Sequence, residues 1–268
     1  MSDYNALINK CRAFIAPSSV ISCVPLSQGL SNENVLINTT QGKYLLKRYK
    51  DHWPEYSLEA QGRLSASNIC PSPVWLDKQN QLAVFNYFDG STANSLSIDD
   101  VIKKLATVHA YSVSTEPMNI AQELSCYKCS PVYLEHQQLI SAAVNFITAM
   151  PIELGFCHND LIKDNLIVNE SGSYLIDFEY AKTNDVYFDL AALSVSFELN
   201  KNNDDALLNS YAKYKDKQVG FVTSIDKLNC YKLLFLVLSI GWYEQRDIRA
   251  PAKKLRAQLL KLIAACGF

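Results

Sequence analysis

The stretch FCHNDLIKDNLIVNESGSYLIDFEYAKTNDVYFD, residues Phe156 to Asp189, holds the densest run of chemically capable polar side chains in the sequence. His158-Asn159-Asp160 is followed by Asn165 and then by Asp177. Between them NLIV and SYLID read as two short strands turning at Asn169-Glu170-Ser171-Gly172. One hairpin therefore holds a carboxylate, a side-chain amide and a second carboxylate. Such oxygen groups suit a hydroxyl nucleophile and a hard cation such as Mg²⁺.

On the N-terminal side of this stretch the pattern is that of a small sheet. Leu7, Ile8, Cys11, Phe14 and Ile15 recur at helical spacing within 4–16, and Pro17-Ser18-Ser19 ends that helix. VISCVPL, NVLINTT and KYLLKRY then read as strands, with a turn at Gln41-Gly42 and a loop over Ser27 to Glu33. A helix around Leu58, Gln61 and Leu64 ends near Asn68, and VWLDKQNQLAVFNYFDG forms a second hairpin turning at Gln79-Asn80. After Gly90 helical periodicity dominates: Ile98 to Ala110, Val132 to Ala149, Leu190 to Phe197, Ala206 to Tyr214, Leu228 to Glu244 and Pro251 to Ala265. The expected class is α+β, with a small antiparallel sheet plus one helix in 1–90 and a mainly helical part in 91–268.

The chain of 268 residues, 49% hydrophobic and 19% charged, is long enough to bury a core in one large domain or two lobes. A net charge of -2 offers no field for a polyanion, so a nucleic acid partner is not expected. The start, MSDYNALINKCRAFIAPSS, lacks the pattern of a secretion signal, and the best apolar run, LLFLVLSIGW, is too short to span a bilayer. A cytoplasmic protein without a membrane partner is expected, with the 8 cysteines reduced. Cys126 and Cys129 form a C-x-x-C, but no second Cys or His pair follows at zinc spacing.

The spacing H-x-D-x-x-x-x-N followed by I-D-F equals the catalytic-loop and metal-loop pattern of protein kinases. Phosphoryl transfer needs those parts: one Asp to accept or orient the alcohol proton, and an Asn and Asp to hold metal bridging the nucleotide phosphates. CHNDLIKDN together with LIDFEYAKTNDVYFDLA resembles the superfamily of choline/ethanolamine kinases, thiamine kinases and aminoglycoside phosphotransferases. In that superfamily an acidic residue replaces the glycine of the kinase D-F-G. GWYEQR, Gly241 to Arg246, resembles the C-terminal helix of the thiamine kinases.

The resemblance implies a protein-kinase-like two-lobed fold that uses ATP and Mg²⁺, with 1–90 the nucleotide-binding lobe and 91–268 the catalytic and substrate-binding lobe. Asp160 would be the catalytic base, Asn165 and Asp177 the metal ligands, and Glu179 a neighbour of metal or substrate. His158 would brace the loop, while Asp189 would either brace it too or cap the following helix. Gly29, Ser31 and Asn32 would cover the phosphates. Lys47 would meet the α/β-phosphates with Glu59 as its ion partner, and the backbone of Asn86, Tyr87 and Phe88 would hydrogen-bond adenine.

The acceptor is a small, cationic alcohol by this reading, because a quaternary nitrogen calls for acids and aromatic faces. Glu179, Tyr180, Trp242 and Glu244 are the candidates. Trp242 and Tyr243 read equally as core packing, and adjacent helical residues point about 100° apart, so at most one faces a pocket squarely. The alternatives are an aminoglycoside-type phosphotransferase, or a nucleotide-binding pseudokinase without turnover.

Overall fold

The computed structural model describes residues 7–26, 31–95, 97–112, 115–215 and 220–267. The strands are β1 (Val20–Leu26), β2 (Glu33–Thr39), β3 (Gly42–Arg48), β4 (Pro73–Asp77), β5 (Leu82–Asn86), β6 (Ser91–Thr92), β7 (Leu154–Cys157), β8 (Leu166–Asn169), β9 (Gly172–Leu175) and β10 (Lys182–Asp185). The helices are α1 (Glu55–Leu64), α2 (Ile98–His109), α3 (Ile120–Ser125), α4 (Pro131–Glu135), α5 (Gln137–Ala149), α6 (Tyr187–Ser196), α7 (Lys201–Tyr214), α8 (Ile225–Gln245) and α9 (Arg249–Cys266). Two compact units result: Met1–Ser91 with Ile167–Ile176, and Thr92–Leu166 with Asp177–Phe268.

In the first unit five strands pair antiparallel in the order β1-β2-β3-β5-β4. Strand periodicity of two sends alternate residues to opposite faces. Val35, Ile37, Leu46, Leu82 and Val84 pack on one side with Leu7, Ile8, Cys11 and Ile15. Tyr49, Ala83 and Phe85 pack with Leu58 of α1 in a separate cluster, flanked by Leu45. Lys47 shares the strand face of Leu45 and Tyr49, which is how a lysine comes to lie only 4% exposed.

The first hairpin turns at Thr40-Gln41, one residue earlier than expected, with Thr39 paired to Gly42. The Thr39 hydroxyl donates to Gly42 O at 2.9 Å and accepts Gln41 N–H at 3.1 Å, and Gly42 takes a φ of 144° that side chains disfavour. Asp77 closes the second hairpin by accepting from the backbone and side chain of Asn80 at 3.1 and 2.7 Å.

In the second unit α8 is the central helix, packing against α5, α6 and α9. Its apolar residues are joined by two buried lysines. Lys227 Nζ meets Asp185 at 2.6 Å and Lys232 Nζ meets Asp204 at 2.7 Å. Buried charges need such partners, since desolvation costs several kcal/mol per ion. Among the described residues no helix is long and apolar enough to cross a membrane.

Several elements differ from the sequence reading. The opening helix is regular only over 7–10 among the described residues, and turns follow through 14. The expected helix over Val132 to Ala149 is two helices, because His136 sits at φ -116°, ψ 19°, outside the helical region. Strand β10 was not anticipated: KTND has little β propensity and is extended through its pairing with β7, Thr183 opposite Phe156.

Candidate functional site

The loop after β7 carries His158, Asn159 and Asp160, and a 3-10 turn at Lys163–Asn165 brings Asn165 back onto it. Asn165 Nδ2 donates to the Asp160 backbone oxygen at 2.8 Å and to its carboxylate Oδ2 at 2.9 Å. With its nitrogen so committed, the Asn165 amide presents its oxygen elsewhere. Asp177 stands at φ 66°, ψ 58°, just before a 3-10 turn at Phe178–Tyr180 that holds the buried Glu179. Asp177 and Asn159 (φ 63°) both take left-handed backbone, a region that Asn and Asp enter more readily than other residues with side chains.

Asp160 is half-buried and its carboxyl is pushed up to about 8. Loss of hydration is the main cause, followed by repulsion from Asp177; the Asn165 hydrogen bond works in the opposite direction, and Glu179 and Asp189 add further repulsion. Asp177 and Glu179 are close enough to Asp160 to repel its charge, and such a group of acids gains from a divalent cation. Carboxylate and amide oxygens are the donor set that Mg²⁺ takes, so these residues fit that ion.

The loop is held from beneath by Asp189, in the first turn of α6 and fully buried. Its carboxylate accepts His158 N–H at 2.7 Å and Asn159 N–H at 2.8 Å, so it ties the loop rather than capping its own helix. The His158 ring lies 4.6 Å from the Phe178 ring and its Nδ1 accepts Asp160 N–H at 3.3 Å. One side chain thus touches both the loop after β7 and the I-D-F residues.

Sequence reasoning missed four members of this network. His109, at the end of α2, places Nε2 3.0 Å from Asp189 and Nδ1 2.7 Å from the Tyr211 hydroxyl. Asn159 donates to the carbonyls of Tyr180, Cys157 and Lys182 and accepts from Asn184 Nδ2 at 2.8 Å. The one usable signal was Asn159 itself, since Asn tolerates the left-handed region; His109 lies 80 residues from its partner. His109, Asp189 and Cys157 have ligating atoms within 4.8 Å of one another, yet each is engaged in a hydrogen bond, His109 with Asp189 at 3.0 Å and Cys157 with Asn184. The Cys157 thiol donates to Asn184 O, and burial holds it protonated, so it offers no thiolate to a metal.

On the first unit, Gly29 lies outside the described residues. Ser31 and Asn32 precede β2, and Asn32 Oδ1 accepts Lys50 N–H at 3.3 Å. Lys47 Nζ sits 5.0 Å from the Tyr49 ring centre. Glu59 is not its ion partner here: it lies on the solvent face of α1 and pairs with Arg63, at 2.9 Å. The i,i+4 spacing on one helix explains that choice. The expectation for the hinge is also narrowed, since Asn86 N–H donates to Ser72 O at 3.0 Å and Tyr87 N–H to Lys43 O at 3.2 Å. Phe88 packs its ring 4.6 Å from Tyr174.

At the end of α8 the aromatic pair divides. The Arg246 guanidinium covers Trp242 at 3.9 Å from the ring centre. Tyr243 is close enough to Asp160 and Asp164 that, after desolvation, their charges raise its phenol above the usual range. Glu244 departs from the expected substrate role. Arg256 of α9 binds its Oε1 through Nε at 2.8 Å and through Nη2, while its Oε2 accepts Val132 N–H of α4 at 3.3 Å. That carboxylate joins three helices. Glu244→Ala is expected to cost about 2 kcal/mol in urea unfolding, the range for a charged hydrogen bond, and to leave acceptor KM unchanged. A raised KM with normal stability would restore Glu244 to the substrate pocket. Tyr180 is 39% exposed beside Glu179.

The model of the phosphotransferase enzyme family, APH, matches residues 22–219. LicA of Haemophilus influenzae is 23% identical over 84% of this chain and 74% of its own length. A thiamine kinase of Salmonella newport (strain SL254) is 25% identical over 83% of this chain and 82% of its own. The solved choline kinase LicA of Streptococcus pneumoniae superposes with a TM-score of 0.83, at 21% identity, covering 99% of this chain and 100% of that one. The α+β architecture is therefore the protein-kinase-like one, and the chain belongs to the phosphotransferase enzyme family, as a small-molecule kinase.

Proposed function

We propose that this kinase transfers the γ-phosphoryl group of ATP to the hydroxyl of a small cationic alcohol of the choline, ethanolamine or thiamine type. The observation that supports the reading is the double hydrogen bond from Asn165 Nδ2 to the backbone oxygen and carboxylate of Asp160, which holds the two side chains together and leaves the amide oxygen for a cation. Asp160 receives the alcohol proton as the oxygen attacks phosphorus, and its raised affinity for protons suits it to that task near neutral pH. Asn165 and Asp177 would hold Mg²⁺, which neutralises charge on the phosphates.

The nucleotide falls to the first unit. Lys47, on its apolar sheet face, meets the α/β-phosphates, the Ser31-Asn32 segment covers them, and Phe88 N–H supplies the hinge donor for adenine, since Asn86 and Tyr87 have theirs engaged. Phosphate contact by Ser31 and Asn32 rests on their place at the start of β2. Glu179 and Tyr180 line the acceptor side.

Tyr243 is the aromatic face for the cationic group. It lies near Asp160, whereas Trp242 already carries a cation from its own chain. The homology to LicA and to thiamine kinase supports the same class.

An ADP-release assay across choline, ethanolamine, thiamine and an aminoglycoside tests the reading. Turnover is expected with a cationic alcohol and not with the aminoglycoside. Tyr243→Leu should raise the KM for that alcohol about tenfold, the effect of losing a cation–π contact of about 1.4 kcal/mol, with ATP KM unchanged. Mg-ATP binding without turnover on any alcohol would reject the function, and an unchanged acceptor KM would reject Tyr243.

A further inference from the structure

We propose that Cys126 and Cys129 form a reversible redox site, a dithiol that closes to an intramolecular disulfide and acts on the acceptor end of α8. All 8 cysteines are free, and these two are the exposed ones, whereas Cys11, Cys70, Cys157 and Cys230 are buried. Desolvation raises the buried thiols and keeps them protonated, so attack is directed to the exposed pair. The stretch is wound by successive tight turns: Tyr127 N–H to Leu124 O at 3.0 Å, Lys128 N–H to Ser125 O at 3.3 Å and Ser130 N–H to Tyr127 O at 2.8 Å. These overlapping turns include both cysteines; a four-residue turn brings its ends within about 7 Å, and a disulfide spans Cα atoms roughly 4.4–6.8 Å apart.

The turn is anchored to α8 at the dithiol's first cysteine and at the residue after it. Gln245 Nε2 donates to Cys126 O at 2.9 Å. Tyr127 is seated so tightly on Gly241 that a methyl group there would meet its ring and Cβ at 2.7 to 2.9 Å. Trp242 and Tyr243 follow Gly241 directly. To close the bond, Cys126 Sγ must leave Gln122 O, its present acceptor at 3.7 Å, and swing toward Cys129.

The oxidant is a low-molecular-weight disulfide. A Cys126 or Cys129 thiolate attacks it and releases one thiolate; the second cysteine attacks the mixed disulfide and releases the other. Two protein thiols lose two electrons and two protons, and the oxidant leaves as two thiols. The coupling to α8 rests on the proposed acceptor site, but the bond itself does not.

The test is to treat the full chain with oxidised glutathione under native conditions. The expected product has lost two hydrogens, links Cys126 to Cys129 in a non-reducing digest, and reverts with dithiothreitol. Cys126→Ser should instead retain a glutathione adduct on Cys129. Stable adducts on both cysteines of the unsubstituted chain, or an unchanged mass, would overturn the site, and this mass readout needs no acceptor. In the oxidised protein the acceptor KM should change threefold or more with ATP KM constant, and should not change in the Cys126→Ser/Cys129→Ser variant. An unchanged KM after complete oxidation would overturn the coupling.

Discussion

Asp160→Asn is expected to lower kcat by about a thousandfold, the middle of the range for losing a positioned general base. It should also make the metal-free protein more stable at neutral pH. The two effects share a cause. Ordinary aspartate ionises with a pKa of 3.8, and in the folded chain Asp160 is raised to about 8, chiefly by desolvation and then by Asp177. A carboxylate raised on folding favours the folded state only while protonated. Its contribution is fully present below 3.8 and is lost as pH rises through about 8.

At pH 7.5 the native protein thus holds an acid that the unfolded chain would ionise freely. An amide keeps an acceptor for Asn165 Nδ2 and carries no charge. The gain should be on the order of 2 kcal/mol, well below the full shift because Asp160 is only half-buried. Thermal melts in EDTA at pH 5 and pH 8 provide the check: the variant's advantage should grow with pH, and saturating Mg²⁺ should shrink it. Turnover above a tenth of normal would remove Asp160 from the chemistry, and an advantage independent of pH would remove the electrostatic account.

The stretch that holds Asp160 is the part of the fold most legible in the sequence, because its geometry is local. Asp160, Asn165 and Asp177 are set by a short turn and a hairpin whose apolar alternation and Gly172 can be read directly. The sheet of the first unit is legible for the same reason, since each hairpin announces itself by alternation and a polar turn.

Long-range side-chain choices were not readable. Glu59 and Glu244 each had the right residue type for an assigned role, but each carboxylate found an arginine on its own or a neighbouring helix, Arg63 and Arg256. Nothing in periodicity distinguishes an acid that faces a ligand from one that faces a helix. The same limit hid His109 and Tyr211, which read as ordinary positions at a helix end and on an apolar face. It also left open how Trp242 and Tyr243 divide: the guanidinium of Arg246, just past the end of α8, covers Trp242 alone of the pair.

That hidden layer sets the second large expectation. Asp189→Asn is expected to lower kcat by about a hundredfold or more and to cost about 3–5 kcal/mol, because it removes one partner of a buried, fully bonded charge network. The Asp189 carboxylate receives three donors: the amides of His158 and Asn159, and His109 Nε2. An asparagine has one oxygen for three donors, and its NH₂ group would point at one of them. Freed from its tie, the loop no longer holds Asp160 at a set distance from the attacking oxygen, and small misplacements there are costly in rate.

ATP KM should stay near normal, because the proposed nucleotide contacts, Lys47 and Phe88, belong to the other unit. His109→Ala should show a weaker form of the same defect, and His109→Gln should recover part of it by restoring an N–H donor toward Asp189. Hydrogen exchange at the amides of His158 and Asn159 reports the tie directly and should accelerate in Asp189→Asn under conditions where the protein remains folded. Normal exchange at both amides, or turnover within tenfold of the unsubstituted protein, would show that the catalytic loop keeps its shape without Asp189. The burial of that carboxylate would then have to be explained by the packing of α6 alone.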